Sequence, residues 1–214
     1  MLKVRVDTLS SEQLTKKEKL ELYKKIVPIA EVERSKILSD DMPIKDTFGL
    51  LEQLGFFILK FPSKDEDLSG FHIEKIGINC IYINTRNTYG RQNFSGWHEY
   101  YHAVVEKGEG LSYVSEQQND PIEYKAECFA GCMLMPEKLV KEHLNKLNVT
   151  DVKYISYDNL IKMQKYFNVS YSSIVTRLIQ IYPNRNKELS QRYALSKPAR
   201  SEELRKKLLK LMVI

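Results

Sequence analysis

Residues 94–106 read FSGWHEYYHAVVE and contain two histidines four positions apart, with a glutamate directly after the first. On an α-helix, residues four apart lie on the same face, so His98 and His102 can each direct a ring nitrogen at one metal ion. Glu99 lies about 100° around the same helix and can reach a metal-bound water without binding the metal. This H-E-x-x-H arrangement is typical of zinc peptidases, in which the glutamate removes a proton from that water. The stretch predicts a metal-dependent hydrolase acting on a peptide.

The two faces of this predicted helix differ in polarity. At about 100° per residue, His98, Glu99 and His102 share one arc. The opposite arc is apolar and is formed by Phe94, Trp97, Tyr100, Tyr101, Val104 and Val105. Such a division is expected for an active-site helix packed on a core, and an ordinary amphipathic helix with two surface histidines is the alternative.

A second apolar helical pattern, DPIEYKAECFAGCMLMP, covers residues 120–136. A catalytic zinc usually takes three protein ligands and keeps the fourth position for water, so one ligand is still needed. Glu123, in the first turn of this helix, is the candidate, and Glu127 lies four residues later, where it could orient a ligand. The alternative for Glu123 is an acidic residue that the helix dipole favours in the first turn. The alternative for Glu127 is a glutamate exposed to solvent.

The chain has three cysteines, which could also bind a metal. Cys128 and Cys132 fall about 140° and 180° from Glu123 around the second helix. This helix therefore cannot easily offer both the glutamate and the cysteines to one metal. Cys80 lies in the apolar run IGINCIYIN, which predicts a core position. Three cysteines without C-x-x-C spacing indicate neither a disulfide framework nor a zinc finger, and they favour a reducing compartment.

Three blocks of the chain resemble one known family, the ImmA/IrrE-type zinc metallopeptidases. RQNFSGWHEYYHAVVE resembles the family's arginine-phenylalanine-HExxH helix, IEYKAECFAGCMLMP its E-x-E-A-N-x-F-A-x-x-L-L-M-P helix, and FNVSYSSIVTRL its F-x-V-S…R-L segment. Residues 50–84 are also similar to the short strands that precede the family's active helix. The resemblance covers roughly residues 40–182, and it departs from the family's glutamate-alanine-asparagine at Lys125, Ala126 and Glu127.

This resemblance implies a gluzincin-like fold with one zinc ion per chain. By it, His98, His102 and Glu123 bind the zinc, and Glu99 is the catalytic general base. The family's best-understood role is cleavage of a helix-turn-helix repressor encoded beside the peptidase on a phage or mobile element. About thirty residues follow Pro183, too few for the sensor domain of larger members, so an antirepressor peptidase is expected. The alternative is a regulatory protein that retains zinc and binds its partner repressor without cleaving it.

The pattern along the chain predicts an α+β fold, mostly helical, with a small antiparallel sheet. Residues 1–40 are expected to form an N-terminal helical segment and residues 41–150 the metallopeptidase core. A helical hairpin over residues 151–183 and a basic C-terminal tail with a helix over residues 184–214 complete the predicted organisation.

Within the core, a helix around residues 46–54 is predicted to precede three strands near residues 55–61, 70–76 and 80–84. The last of these strands is a candidate edge, to which an extended substrate could add as a further strand.

The segment from Asp158 to Ile181 predicts two helices joined at residues 168–170, with Ser170 as the N-cap of the second. Its shape is that of a helix-turn-helix, which would contact DNA through Arg177. Because the segment is not strongly basic, a hairpin packed on the peptidase core is favoured, and direct DNA binding is not expected.

The positive charge of the chain is concentrated at its end. The net charge is +5, and residues 183–214 contain nine Lys or Arg against three Glu. Residues 202–214, EELRKKLLKLMVI, predict an amphipathic helix, for which docking on the core, on a partner or on an acidic surface is one interpretation and a solvated, partly packed terminal helix is the favoured one. No run approaches the roughly 18–20 apolar residues of a membrane span, and the first residues lack a signal-peptide core, so a cytoplasmic protein without a membrane partner is expected. Tyr101, Tyr113 and His143 are candidates for stabilising an oxyanion.

Overall fold

In the computed structural model of the chain, residues 14–38, 42–65, 67–107, 110–113 and 120–196 are described. The fold is α+β with helices predominating, as the sequence predicts. The α-helices are α1 (Lys16–Ile37), α2 (Thr47–Gln53), α3 (Tyr89–Tyr100), α4 (Pro121–Leu134), α5 (Glu137–Lys146), α6 (Tyr157–Phe167), α7 (Tyr171–Ile181) and α8 (Asn186–Ser190). A π-helix, Tyr101–Glu106, continues α3, and short 3-10 turns cover Val152–Tyr154, Pro183–Arg185 and Gln191–Ser196. The predicted helix at residues 202–214 lies outside the described residues.

The N-terminal helical segment is one long helix. Thr15 caps α1, because its hydroxyl accepts from the backbone N–H of Glu18 while the Glu18 carboxylate accepts from the backbone N–H of Thr15. This reciprocal capping box satisfies two backbone donors at the helix start. Pro28 lies inside the helix without ending it.

A four-stranded mixed sheet lies beside α3. Its strands are β1 (Phe56–Phe61), β2 (Leu68–Lys75), β3 (Ile78–Asn84) and β4 (Gly110–Tyr113), in the spatial order β1-β3-β2-β4. β3 runs parallel to β1 and antiparallel to β2, and β2 pairs antiparallel with β4.

The prediction of an antiparallel sheet was therefore wrong for the pair β1–β3. The prediction that the strand at residues 80–84 forms an edge was also wrong, because β3 lies between β1 and β2. Side-chain alternation predicts which residues share a face but not which strands are neighbours. Here the β2–β3 hairpin turns at Ile76 and Gly77, both with positive φ, and brings β3 back between its partners.

The helix α3 lies at the centre of the molecule, in contact with the sheet on one side and with α4 on the other. The middle of the sheet's inner face, which includes Ile81 and Ile83, is fully buried, and so is Trp97 on α3. Burial on two sides leaves the helix little freedom to shift, so its reactive side chains have fixed positions.

The predicted hairpin is formed by α6 and α7. Asn168 adopts the left-handed conformation that ends α6, and Ser170 caps α7 by accepting from the backbone N–H of Ser173 at 3.1 Å. The turn contacts the start of α3, where the Asn93 amide donates to the Asn168 carbonyl at 2.9 Å. A methyl group at Gly90 would lie only 2.3 Å from the Val169 carbonyl carbon, so the two backbones are in close contact.

Arg177 of this hairpin is buried and is not available to DNA. It donates hydrogen bonds of 2.8 Å to the Met135 carbonyl at the end of α4 and to the Tyr23 hydroxyl on α1. A guanidinium with this many donors can join three helices at one point. Within the described part of the chain, no helix is long and apolar enough to cross a membrane.

Candidate metal centre

The two histidines lie where α3 changes into the π-helix. His98 belongs to the last turn of α3, and His102 belongs to the π-helix. π-helical turns often occur at functional sites, where the wider turn changes the direction of a side chain. His98, Glu99 and His102 are all buried. On the opposite arc Trp97, Tyr100 and Tyr101 are buried as predicted, whereas Phe94, Val104 and Val105 are only partly buried.

His98, His102 and Glu123 converge, with one ligand atom of each lying within 4.8 Å of the others. The Nε2 atoms of the two histidines are 3.2 Å apart. The Glu123 carboxylate lies 3.1 Å from His98 Nε2 and 3.3 Å from His102 Nε2. Ligands about 2.0–2.1 Å from one tetrahedral zinc lie roughly 3.3 Å from each other, so these three separations fit a shared zinc ion.

The position of Glu123 follows from the start of α4. Asp120 is the N-cap and its carboxylate accepts from the backbone N–H of Ile122 at 2.7 Å, while Pro121 occupies the first helical position. These two residues fix the first turn, from which Glu123 extends to the histidines. Burial raises the pKa of Glu123, but its contacts with His102 and His98 more than offset this and lower the pKa to about 2. The carboxylate is therefore ionised, as a metal ligand must be.

A further carboxylate, Glu106, contacts the other nitrogen of His102. The separation between His102 Nδ1 and Glu106 Oε2 is 2.6 Å. Because the carboxylate can only accept, Nδ1 carries the hydrogen and Nε2 is left to face His98 and Glu123. Burial lowers the pKa of His102, but the bonds to Glu123 and Glu106 outweigh it and raise the pKa to about 9. Burial lowers the pKa of His98, so without metal the proton belongs to His102.

Glu99 is completely buried beside this cluster. Its negative charge contributes to the raised pKa of His102. The strand β2 passes directly over it at Gly70, where a methyl group would lie 3.4 Å from Glu99 Oε1 and 2.8 Å from the Tyr82 carbonyl oxygen. A glycine is required here, since a side chain would push β2 away from β3 and from the carboxylate.

The arrangement of two histidines and two glutamates agrees with the comparison with known families. A family model described as the IrrE N-terminal-like domain of the M78 peptidases matches residues 51–178, more than half of the chain. The chain belongs to this family. It is thus a metallopeptidase-type protein of the ImmA/IrrE kind, and the matched range contains His98, Glu99, His102 and Glu123. A search of curated proteins gave no match.

In this ImmA/IrrE-type chain, Glu127 lies one turn after Glu123 and close to Arg91. Burial raises the pKa of Glu127 to about 7, although the charge of Arg91 opposes the shift. The Arg91 guanidinium donates to the Ser69 hydroxyl at 3.0 Å, which connects α3 to the start of β2. Arg91 and Glu127 line a cavity of about 220 Å³ between α3, α4 and α7. That Glu127 orients a metal ligand stays a prediction.

The cysteines lie away from the cluster. Cys128 and Cys132 are free and buried, on the part of α4 that faces α1 and α7, and Gln180 of α7 donates to the Cys128 sulfur at 3.6 Å. Burial raises the pKa of the Cys128 thiol to about 12, which disfavours the thiolate that a metal needs. Cys80 is free and only partly buried, so the prediction of a core position was too strong.

Two of the three oxyanion candidates are described. The ring of Tyr101 packs edge-on against His102 and also contacts Phe129 of α4. The ring of His143 stacks on Tyr166 of α6, with 3.9 Å between ring centroids, and it is not one of the grouped metal-binding side chains of the described residues. The side chain of Tyr113 lies outside the described residues.

Glu106 was not predicted from the sequence. The residue is four positions after His102, and this spacing was the available signal, since a carboxylate at that position on a helix can contact the histidine. The change from α-helix to π-helix at Tyr101 had no signal in the periodicity of the sequence.

Proposed function

We propose that this ImmA/IrrE-type protein is a zinc-dependent endopeptidase, with His98, His102 and Glu123 as the zinc ligands and Glu99 as the general base. The observation that supports the proposal most strongly is the convergence of the two Nε2 atoms and the two carboxylate oxygens of Glu123, with separations of 3.1–3.3 Å, close to the spacing around one tetrahedral zinc. Two neutral imidazole nitrogens and one carboxylate are a common donor set of catalytic zinc sites.

The bound zinc would supply a Lewis acid that polarises the scissile carbonyl and acidifies the attacking water. Glu99 would accept the proton of that water and deliver it to the leaving amine. Its position supports this role, because it is buried directly beside His98 and its charge acts on His102. In the neutral ring of His102, Glu106 would hold the hydrogen on Nδ1, which leaves the lone pair of Nε2 directed at the metal.

We infer that the substrate is one specific protein, a helix-turn-helix repressor encoded beside the gene on a phage or mobile element. The support is the family to which the chain belongs and the resemblance of its motif helices to antirepressor peptidases. Direct DNA binding is not part of the proposal, because Arg177 is buried in the core. The three free thiols are those expected of a protein in a reducing compartment such as the cytoplasm.

The experiment mixes the purified, zinc-loaded protein with that repressor and measures intact masses over time. Glu99→Gln is the matched control, because it retains the shape of the side chain and all three ligands while removing the base. Equal zinc content in both proteins must be established first. The proposal expects one defined cut with the wild type and none with Glu99→Gln. A stable zinc-containing complex without cleavage in both samples would instead indicate a regulator that acts by binding.

A further inference from the structure

The outer face of the sheet, which points away from α3, is apolar across three strands. The strand registers place Phe57, Cys80 and Ile73 in one cross-strand row and Leu59, Tyr82 and Phe71 in the next. Phe61 and Ile78 lie at the two ends of the same face by strand alternation. This set of eight side chains is called the outer face below.

Much of the outer face is exposed to solvent. The exposed fractions are 60% for Phe57, 51% for Phe61, 45% for Ile73, 63% for Ile78 and 36% for Leu59. Sheets that face water on one side normally alternate apolar and polar residues, so that the water-facing side is polar. In this sheet the middle of the inner face, which includes Ile81 and Ile83, is buried, and the outer face is apolar as well. Contiguous exposed apolar surface on the order of several hundred Å² is often functional.

The outer face carries almost no charge. Lys75, paired with Ile78 at the end of the hairpin, is the one charged side chain on this face of β1, β2 and β3. Tyr82 in the middle is covered by Phe61 and Phe71, with ring centroids 4.5 and 4.8 Å away. A partner that fits here must be apolar too, because a charged partner would lose its hydration without gaining an opposite charge.

The tip of the β2–β3 hairpin extends this surface. Ile76 is 92% exposed and has a φ of 54°, in the left-handed region that β-branched residues rarely adopt. The backbone of Ile76 serves the hairpin turn, which it forms with Gly77, whereas its exposed side chain adds to the apolar surface.

We propose that the outer face packs against the outer face of a second copy of this chain, forming a two-fold symmetric dimer with sheet on sheet. A two-fold interface brings a surface against itself, which gives an uncharged apolar face an uncharged apolar partner. The described end of the chain does not provide the cover, because Tyr193 packs on Thr176 of α7, on the helical side of the molecule.

The size of the outer face limits the area that this dimer can bury. The five exposed side chains contribute roughly 500 Å² per copy, taking about 150–250 Å² for a whole large side chain. The two copies together bury roughly 1,000 Å², the minimum for a specific interface and the size of weak, reversible contacts. The dimer therefore forms and dissociates within the concentration range of solution experiments.

The first experiment is sedimentation equilibrium of the full chain from about 1 to 200 µM. The variant Ile73→Thr/Ile78→Thr removes two apolar contacts and retains β-branched residues that suit a strand. The control is Val32→Thr, an exposed β-branched residue on α1 with a similar exposed fraction, 54%. The wild type and the control are expected to change from one chain mass to two with rising concentration, and the double variant to require at least tenfold more protein. Equal thermal unfolding of all three proteins verifies the fold. A wild type that stays monomeric, or a double variant that dimerises as well as the control, overturns the proposal.

The second experiment locates the interface through Cys80. It lies mid-face between Phe57 and Ile73 and is partly buried, whereas Cys128 and Cys132 are buried. The rate of its alkylation by N-ethylmaleimide is expected to fall at least threefold between 1 and 200 µM wild-type protein, and to stay constant in the double variant. A rate that is independent of concentration while the dimer forms would place the interface elsewhere and overturn the proposal. Neither experiment depends on peptidase activity.

Discussion

The Nδ1–H of His102 donates to the Glu106 carboxylate over 2.6 Å, while the Nε2 of the same ring faces His98 and Glu123. A carboxylate behind a metal-binding histidine fixes the tautomer and increases the basicity of the coordinating nitrogen. Glu106→Ala is therefore expected to weaken zinc binding about 10–100-fold, measured by competition with a fluorescent chelator.

The matched control for this change is Glu137→Ala, which removes another glutamate with an i,i+4 partner, the exposed Lys141. Its zinc affinity should equal that of the wild type. If Glu106→Ala binds zinc as tightly as this control, then Glu106 does not position His102.

The contact between Gly90 and Val169 makes the start of α3 depend on the helical hairpin. Gly90→Ala would place a methyl group 2.3 Å from the Val169 carbonyl carbon, and the backbone there cannot rotate away. The free energy of unfolding is expected to fall by about 3 kcal/mol, measured by urea denaturation. Gly131→Ala in α4 is the control, because the nearest atom would be 3.9 Å away. It should be neutral or stabilise by about 0.5–1 kcal/mol. Similar stability of both variants would contradict the close packing of the α6–α7 hairpin against α3.

Arg177 is expected to contribute to stability and not to DNA binding. Arg177→Leu leaves the Met135 carbonyl and the Tyr23 hydroxyl without their buried donor. The predicted loss is about 2–4 kcal/mol in the free energy of unfolding. The control is Lys162→Leu, which removes an exposed ion pair with Asp158. It should change the free energy of unfolding by less than about 0.5 kcal/mol. An Arg177→Leu protein of unchanged stability that loses affinity for DNA would favour the DNA-binding interpretation.

The raised pKa of Glu127 predicts that the free energy of unfolding changes with pH. Burial raises its pKa in the folded protein from the ordinary 4.5 to about 7, so the folded state holds more protons than the unfolded state between these values. The stability that this proton contributes to the folded state is fully present below pH 4.5 and is lost as the pH rises through 7. In metal-free protein, Glu127→Gln should therefore be stabilised relative to the wild type by about 1–3 kcal/mol at pH 8 and by little at pH 4.5. The measurement is urea denaturation at several pH values in chelator, and parallel pH curves for both proteins would refute the assignment.

The motif helices could be predicted from the sequence because their chemistry depends on local spacing. Two histidines four residues apart share a helix face wherever the helix packs, and Ser170 caps α7 through a contact within one turn. The α+β class and the family were predicted correctly for the same reason, since both depend on motifs of adjacent residues.

The relationships that were missed depend on distant parts of the chain. Strand order brings residues 56–61 beside residues 79–84, and no pattern in either strand specifies its neighbour. Nothing in the sequence around Arg177 distinguishes a buried guanidinium from an exposed one. Its burial follows from the contacts with Met135 and Tyr23, which are distant in the chain. The role of Gly70 is likewise visible only once β2 lies over Glu99.

The most direct test of the account is the zinc K-edge absorption spectrum of the protein loaded with one equivalent of zinc. The account predicts two imidazole nitrogens and further oxygen ligands at about 2.0–2.1 Å, and loss of one imidazole shell in His98→Ala. A zinc–sulfur shell at about 2.3 Å would place the metal on the cysteines, and it would contradict the claim that His98, His102 and Glu123 form the metal site.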